Sequence, residues 1–224
     1  MSKNNVSEEG RRFQAKKKKP FYKRIWFWVL AVLVIVVVGG AIGGHGGNSP
    51  KSKSGVASSA NKGITLSDYN NIKIGDLANN GDGGDTLKSI KSKFGKPASS
   101  SSSTIQNVKT ESYTWNKIAN ADFTSSLVVE FVDGNAVDKA ISGLKVKRSN
   151  KLDLAAFDSI ENGSNESDVL KLVGKPNGYS ENIVSGLKTK MIMYTSDIKG
   201  DAGANFNVTL QGDSVTAKSQ ISMK

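Results

Sequence analysis

LSDYNNIKIG at residues 66–75 and LAAFDSIENG at residues 154–163 are two versions of one pattern. Leu66, Tyr69, Ile72 and Gly75 match Leu154, Phe157, Ile160 and Gly163 at identical spacing. Apolar residues at i, i+3 and i+6 line one face of a short helix, and glycine ends it. A second apolar series follows each motif: Leu87, Ile90 and Phe94 before Gly95-Lys96-Pro97, then Val169, Leu170, Leu172 and Val173 before Gly174-Lys175-Pro176. Glycine can take positive φ and proline cannot continue a helix, so each Gly-Lys-Pro reads as a helix stop. The first half carries extra residues between its two motifs, mostly Asp76 to Asp85.

Beyond each stop the pattern becomes that of strands. Glu111 to Trp115 and Leu127 to Val132 read as strands, and Asp133-Gly134-Asn135 as a hairpin turn into Ala136 to Ile141. Met191 to Thr195 and Phe206 to Leu210 are their counterparts, with Gln211-Gly212-Asp213 turning into Ser214 to Met223. Weaker strands fall near Thr104 to Val108 and Tyr179 to Val184, and Ser99 to Ser103 reads as a loop. The expected fold is therefore α+β. Two tandem repeats, residues 66–149 and 150–224, each give a helix-helix pair and three or four antiparallel strands. Strands joined by tight turns form a meander, which puts the helices on one face of the sheet.

Upstream, Ile25 to Ile42 is an 18-residue run without a charge. As a helix it spans roughly 27 Å, the thickness of a bilayer core. Trp26, Phe27 and Trp28 suit the headgroup interface, and Lys16 to Lys19, Lys23 and Arg24 stand just before the run. The positive-inside rule then puts residues 1–24 in the cytoplasm and the domain outside the cell, with 25–42 as a single uncleaved transmembrane helix. Residues 43–65 are a flexible Gly/Ser/Lys linker. The net charge of +11 would suit a nucleic-acid binder, but its distribution does not. Residues 1–24 hold +7 of it, and the remaining residues hold +4 with both signs interspersed. No nucleic-acid partner is expected.

The repeated aromatic-x-x-Ile-x-x-Gly motif, Gly-Lys-Pro after the second helix and the strand pairs turned at Gly134 and Gly212 resemble the tandem-repeat fold of β-lactamase inhibitor proteins. They also resemble the small outer-membrane lipoproteins of SmpA/OmlA type. The resemblance covers about residues 66–224. It looks closest to membrane-anchored exported proteins of Gram-positive lactic-acid bacteria with the same anchor-linker-domain layout. In the inhibitor family the exposed sheet and loops grip a protein partner. The inhibitors bear disulfides and this chain has no cysteine, so inhibition of a β-lactamase is not carried over.

Catalytic chemistry finds little purchase. The one histidine, His45, lies in the linker, which excludes a Ser-His-Asp triad, and the lack of cysteine excludes thiolate nucleophiles and thiolate metal sites. Asp76 to Asp85 is rich in carboxylates but fails the calcium-loop pattern, with Ala78 and Ser89 where ligands belong. It reads as a solvated loop in which Asp85 or Thr86 caps the next helix. No catalytic residue, metal or cofactor is expected. The expected function is a membrane-anchored binding module of the cell envelope, presenting a sheet face or loops to a protein or wall polysaccharide. The alternatives are an accessory scaffold subunit and, further off, an envelope enzyme. Alternation puts Glu111, Tyr113 and Trp115 on one face, with Tyr194 sharing it by the repeat. Facing outward, Tyr113, Trp115 and Tyr194 would form an aromatic strip for ligand binding. Facing inward, they would leave a Ser/Thr-rich free face, and recognition would fall to loops such as Asp76 to Asp85.

Overall fold

Turn chemistry and alternation lay down eight antiparallel strands in one sheet, ordered β1 to β8 as in the sequence. The computed structural model describes residues 63–105 and 108–224. The strands are β1 (Ser99–Ile105), β2 (Val108–Trp115), β3 (Ala121–Val132), β4 (Asn135–Leu144), β5 (Gly178–Val184), β6 (Leu187–Tyr194), β7 (Gly200–Gln211) and β8 (Ser214–Met223). Among the described residues, four short helices accompany them: α1 (Leu66–Asn70), α2 (Leu87–Phe94), α3 (Leu154–Asp158) and α4 (Glu166–Val173). A 3-10 turn, Leu77–Asn79, follows α1.

The α+β architecture of two tandem repeats, each helix-helix plus three or four strands, is corrected by this topology. The described residues form mostly one eight-stranded antiparallel sheet with a few short helices. The physical reason lies in length and pairing. The helices have 5 or 8 residues, one or two turns, too short to stand as a layer without the sheet. The sheet does not stop where the halves meet, because β4 and β5 pair from Asp138↔Asn182 to Ile141↔Tyr179. Ser99 to Ser103, expected as a loop, is most of edge strand β1. The expected transmembrane helix, the tail before it and most of the linker lie outside the described residues. Among those described, no helix is long and apolar enough to cross a membrane.

Local signals place each short helix. Thr65 and Asp68 cap α1 reciprocally: Asp68 N donates to Thr65 Oγ1 at 3.1 Å and Thr65 N to Asp68 Oδ2 at 2.8 Å. Thr86, Asp153 and Asn165 cap the other three. Gly95 and Gly174 end α2 and α4 at φ 77° and 75°, a region that favours glycine. The motif glycines tie the helical segments to the sheet. Gly75 N donates to Ala136 O and Gly163 N to Val215 O, each at 2.8 Å.

Buried side chains gather in two clusters. One joins Tyr69, Ile72 and Ile90 to Trp115, Leu127, Val129, Phe131 and Ile141. The other joins Phe157, Ile160, Val169 and Val173 to Ile192, Tyr194, Phe206, Val208 and Leu210. Tyr179 packs against both. The helical segments and one sheet face thus make the core.

Asn177, ahead of β5, fastens the middle. Its Nδ2 donates to Leu144 O at 3.0 Å and Ser196 Oγ at 2.9 Å, and its Oδ1 accepts from Thr195 N and Ser196 N at 3.0 and 3.2 Å. Its backbone bonds the ends of β4 and β6, through Leu144 N and Met193 O, each at 2.8 Å. At 3 % exposure, no water replaces these partners. Asn177→Ala in the full chain should therefore cost about 3 kcal/mol, the penalty of orphaned buried groups. Thermal melting followed by circular dichroism checks this, and a variant melting with the parent would refute the clasp.

Candidate functional site

Tyr113, Trp115 and Tyr194, the residues read above as a ligand-binding strip, belong to the core side of the sheet. Trp115 and Tyr194 are 3 % and 0 % exposed, and Tyr113 is half-buried against the same cluster. Trp115 Nε1 donates to Gly95 O at 3.0 Å, and Tyr194 OH donates to Gly174 O at 2.9 Å. In each half an aromatic at the end of a strand thus satisfies the carbonyl at the Gly-Lys-Pro helix stop. Tyr194 stacks on Phe206 at 4.4 Å, and Tyr113 meets Phe131 edge-on at 5.6 Å. These side chains are engaged in packing and leave surface recognition to other groups.

The face turned away from the helices is built differently. One cross-strand row takes a residue from every strand: Ser101, Ser112, Glu130, Asp138, Asn182, Thr189, Gln211 and Ser214. All eight are polar. The neighbouring row on the same face is Ser99, Thr114, Val128, Ala140, Ser180, Met191, Thr209 and Ala217. Neither row holds a Lys or Arg. The first row is a polar belt, and its two charges stand side by side at its centre.

Glu130 and Asp138 are direct partners in the β3–β4 register. Opposed residues of an antiparallel pair have Cβ atoms roughly 5 Å apart, and like charges there repel. Both are buried, at 6 % and 3 % exposure. Burial raises Glu130 to about 7. Burial first and the Glu130 charge second push Asp138 well above the usual carboxylate range; the Asn182 amide and Lys139 pull it only partly back. Among the described residues, Asp138 Oδ2 has no hydrogen-bond partner. A dry carboxyl pair of this kind keeps a proton at neutral pH.

On the core side, Lys139 and Glu181 are register partners between β4 and β5, with Nζ–Oε2 at 3.6 Å. Glu181 also meets Lys188 at 2.8 Å and Lys190 at 3.3 Å, and Lys190 reaches Glu166 at 2.7 Å. Burial pushes the Glu181 carboxyl up, but the Lys188 hydrogen bond and the three nearby lysine charges reverse this and hold it below its ordinary value. Burial lowers Lys139. A cleft of ≈ 380 Å³ opens here, lined by Asn70, Ile72, Lys73, Lys139, Glu181 and Lys188 among others. Its buried charges already satisfy one another.

The 76–85 loop is tied to the second half. Asp76 accepts from Ser185 N at 2.8 Å and Gly186 N at 2.6 Å, which pins the loop to the β5–β6 turn. Among the described residues, no group of three or more His, Asp or Glu could hold a metal ion. The Glu130–Asp138 pair was not read from the sequence. The available signal was a carboxyl inside each of two strand runs, Glu130 in the otherwise apolar LVVEFV (127–132) and Asp138 beside Lys139 in AVDKAI (136–141).

Residues 61–223 match a family described as a domain of unknown function with solved structure (DUF3862). Among solved structures, the chain resembles a crystal structure of a candidate β-lactamase inhibitor protein from Streptococcus mutans. The TM-score is 0.53 and the identity 21 %, over 70 % of this chain and 94 % of that one. No curated protein matches. The inhibitor-like likeness expected from the motifs holds at the level of the fold.

The carboxyl pair makes stability depend on pH. The folded-state pKa of Glu130, about 7, lies above the ordinary 4.5. The stability this group contributes is therefore present below about pH 4.5 and lost as pH rises to about 7, by up to ~3 kcal/mol. Glu130→Gln should match the parent near pH 4 and exceed its stability by roughly 2–3 kcal/mol near pH 8. Urea unfolding of the two proteins at both pH values measures the gap, and a constant gap would refute the assignment.

Proposed function

The chain belongs to the DUF3862 family, and from that footing we propose that it is a non-catalytic binding module of the cell envelope. It presents the sheet face turned away from its helices to a protein partner. The basic tail and the apolar run Ile25 to Ile42 hold the domain at the outer side of the cell membrane, in a Gram-positive envelope, with the Gly/Ser/Lys linker as tether.

The observation that carries this reading is the polar belt. Every strand contributes one side chain to it, and helix packing uses the other face. A broad face of Ser, Thr, Asn and carboxyl groups, with half-buried Val128 and Met191 in the adjoining row, combines hydrogen-bonding groups with apolar spots as protein interfaces do. The Streptococcus mutans structure, through its name as a candidate inhibitor protein, supports a protein as ligand. The lack of cysteine and of any histidine beyond His45 supports a role without catalysis.

Site-specific photocrosslinking in intact cells tests the face. A photoreactive residue at Ser112, Thr189 or Thr209 should trap one and the same envelope protein. The same group at Lys88 on α2 or Lys171 on α4, both exposed, should not. Equal trapping from helices and sheet would refute the proposal.

A further inference from the structure

We propose that Glu130 and Asp138 form a recess for one basic side chain of the docked protein, a lysine ammonium or an arginine guanidinium, and that filling it expels a proton to water. The inference rests on the docking reading above and supplies its chemistry.

Three observations carry it. Glu130 and Asp138 are direct register partners at the centre of the belt. Asp138 is 3 % exposed, yet its Oδ2 has no partner, so an acceptor on this face stands unfilled. Finally, among the described residues this face supplies no cation. The belt neighbours are Ser112 from β2, Asn182 from β5 and Thr189 from β6, and none of them carries charge. The charged groups that reach Asp138 through the sheet are Lys139 and Glu181 on the core side. Lys139 is already committed to Tyr69 O and Ile72 O, each at 3.0 Å, and to Glu181. The remaining negative charge calls for a cation from outside.

The chemistry favours a nitrogen cation over a metal ion. Calcium wants six to eight oxygens, and the pair offers two carboxyls without a third. A guanidinium or ammonium needs only the two acceptors, and charge-assisted hydrogen bonds to carboxylates are the strong ones. Empty, the pair keeps one proton, because burial raises Glu130 to about 7 and, with the Glu130 charge, pushes Asp138 well above the usual carboxylate range. When the cation arrives, both carboxyls ionise and the proton leaves to solvent. Docking through this recess therefore weakens as pH falls below about 7.

The test uses the full chain in mild detergent with carboxyl carbons of Glu and Asp carrying carbon-13, and methylguanidinium chloride as the probe. The expected result is a Glu130 titration midpoint near 7 that drops by roughly one pH unit, a tenfold shift in proton affinity, when the probe is added. Asp138→Asn should abolish the shift, and Ser112→Ala, beside the pair, should retain it. Because Asp138→Asn relieves like-charge repulsion, loss of folding is not its expected effect; an unchanged carbon-13 spectrum elsewhere verifies that. A Glu130 midpoint in the ordinary range, or a probe shift that survives Asp138→Asn, overturns the recess. If cross-links from Thr209 persist in that case, the docking face stands without it. A probe shift found without any cross-link supports the recess and overturns only the protein partner.

Discussion

A buried ammonium must be satisfied on every side, and Lys139 meets that demand by joining three parts of the molecule. Its side chain is 4 % exposed. It donates to the carbonyls of Tyr69 and Ile72 at the end of α1, lies over the Tyr69 ring at 4.5 Å and faces Glu181 across β4–β5. The carbonyls at a helix C-terminus carry partial negative charge and favour a cation. One lysine therefore fixes where α1 ends and also draws β5 to β4. Lys218 plays a similar part in the second half, donating to Phe157 O at 2.9 Å and Asp158 O at 3.0 Å and lying over the Phe157 ring at 4.6 Å. Being on β8, the last strand, it has no further strand to recruit. The same local device closes the sheet at its edge and continues it at its centre.

Two bulges decide which side chains reach which face. In β3–β4 the register runs Val132↔Asn135 and Phe131↔Ala136, then skips Val137 so that Glu130 meets Asp138. In β7–β8 it runs Gln211↔Ser214 and Leu210↔Val215, then skips Thr216 so that Thr209 meets Ala217. A one-residue slip turns every following side chain to the other face. Without the first bulge Lys139 and Ile141 would leave the core and Asp138 would enter it. With it, Lys139 reaches the helix carbonyls, and the carboxyl beside it is sent to the polar belt opposite Glu130.

This is also where sequence reading reached its limit. The capping residues, the Gly-Lys-Pro stops and the turns at Gly134 and Gly212 act over a few residues, so they are legible one at a time. Alternation correctly put Tyr113 and Trp115 on a common face, since adjacent strand residues must diverge. It could not say which face is inside, because that depends on helices arriving from elsewhere in the chain. The fold class was misjudged for a related reason. Apolar spacing marks where a helix starts and stops but not whether it amounts to a layer, and helices of 5 or 8 residues are outweighed by one sheet that the pairing of Asp138 with Asn182 and of Ile141 with Tyr179 carries through the middle. The acidic pair was hidden by the bulge: a plain two-residue hairpin would have put Glu130 opposite Val137.

The two central rows of the sheet therefore treat charge in opposite ways. On the core side, Lys139, Glu181 and Lys190 alternate in sign across β4, β5 and β6. Each buried charge has a counter-charge or a carbonyl, the condition under which burial is tolerated. On the other side, one residue along each strand, Glu130 and Asp138 oppose each other with no cation in their row, and Asp138 keeps an idle oxygen. The Asn182 amide and Lys139 offset the burial of Asp138 only in part. The amides Gln and Asn would fill the same volume in the same register without the repulsion. A fold that balances charge so completely on one face and leaves it unbalanced on the other directs the imbalance outward. The physical account of this pair then lies in what the face meets, and in the docking proposed above a basic group from a partner would supply on the outer row the counter-charge that the inner row already has.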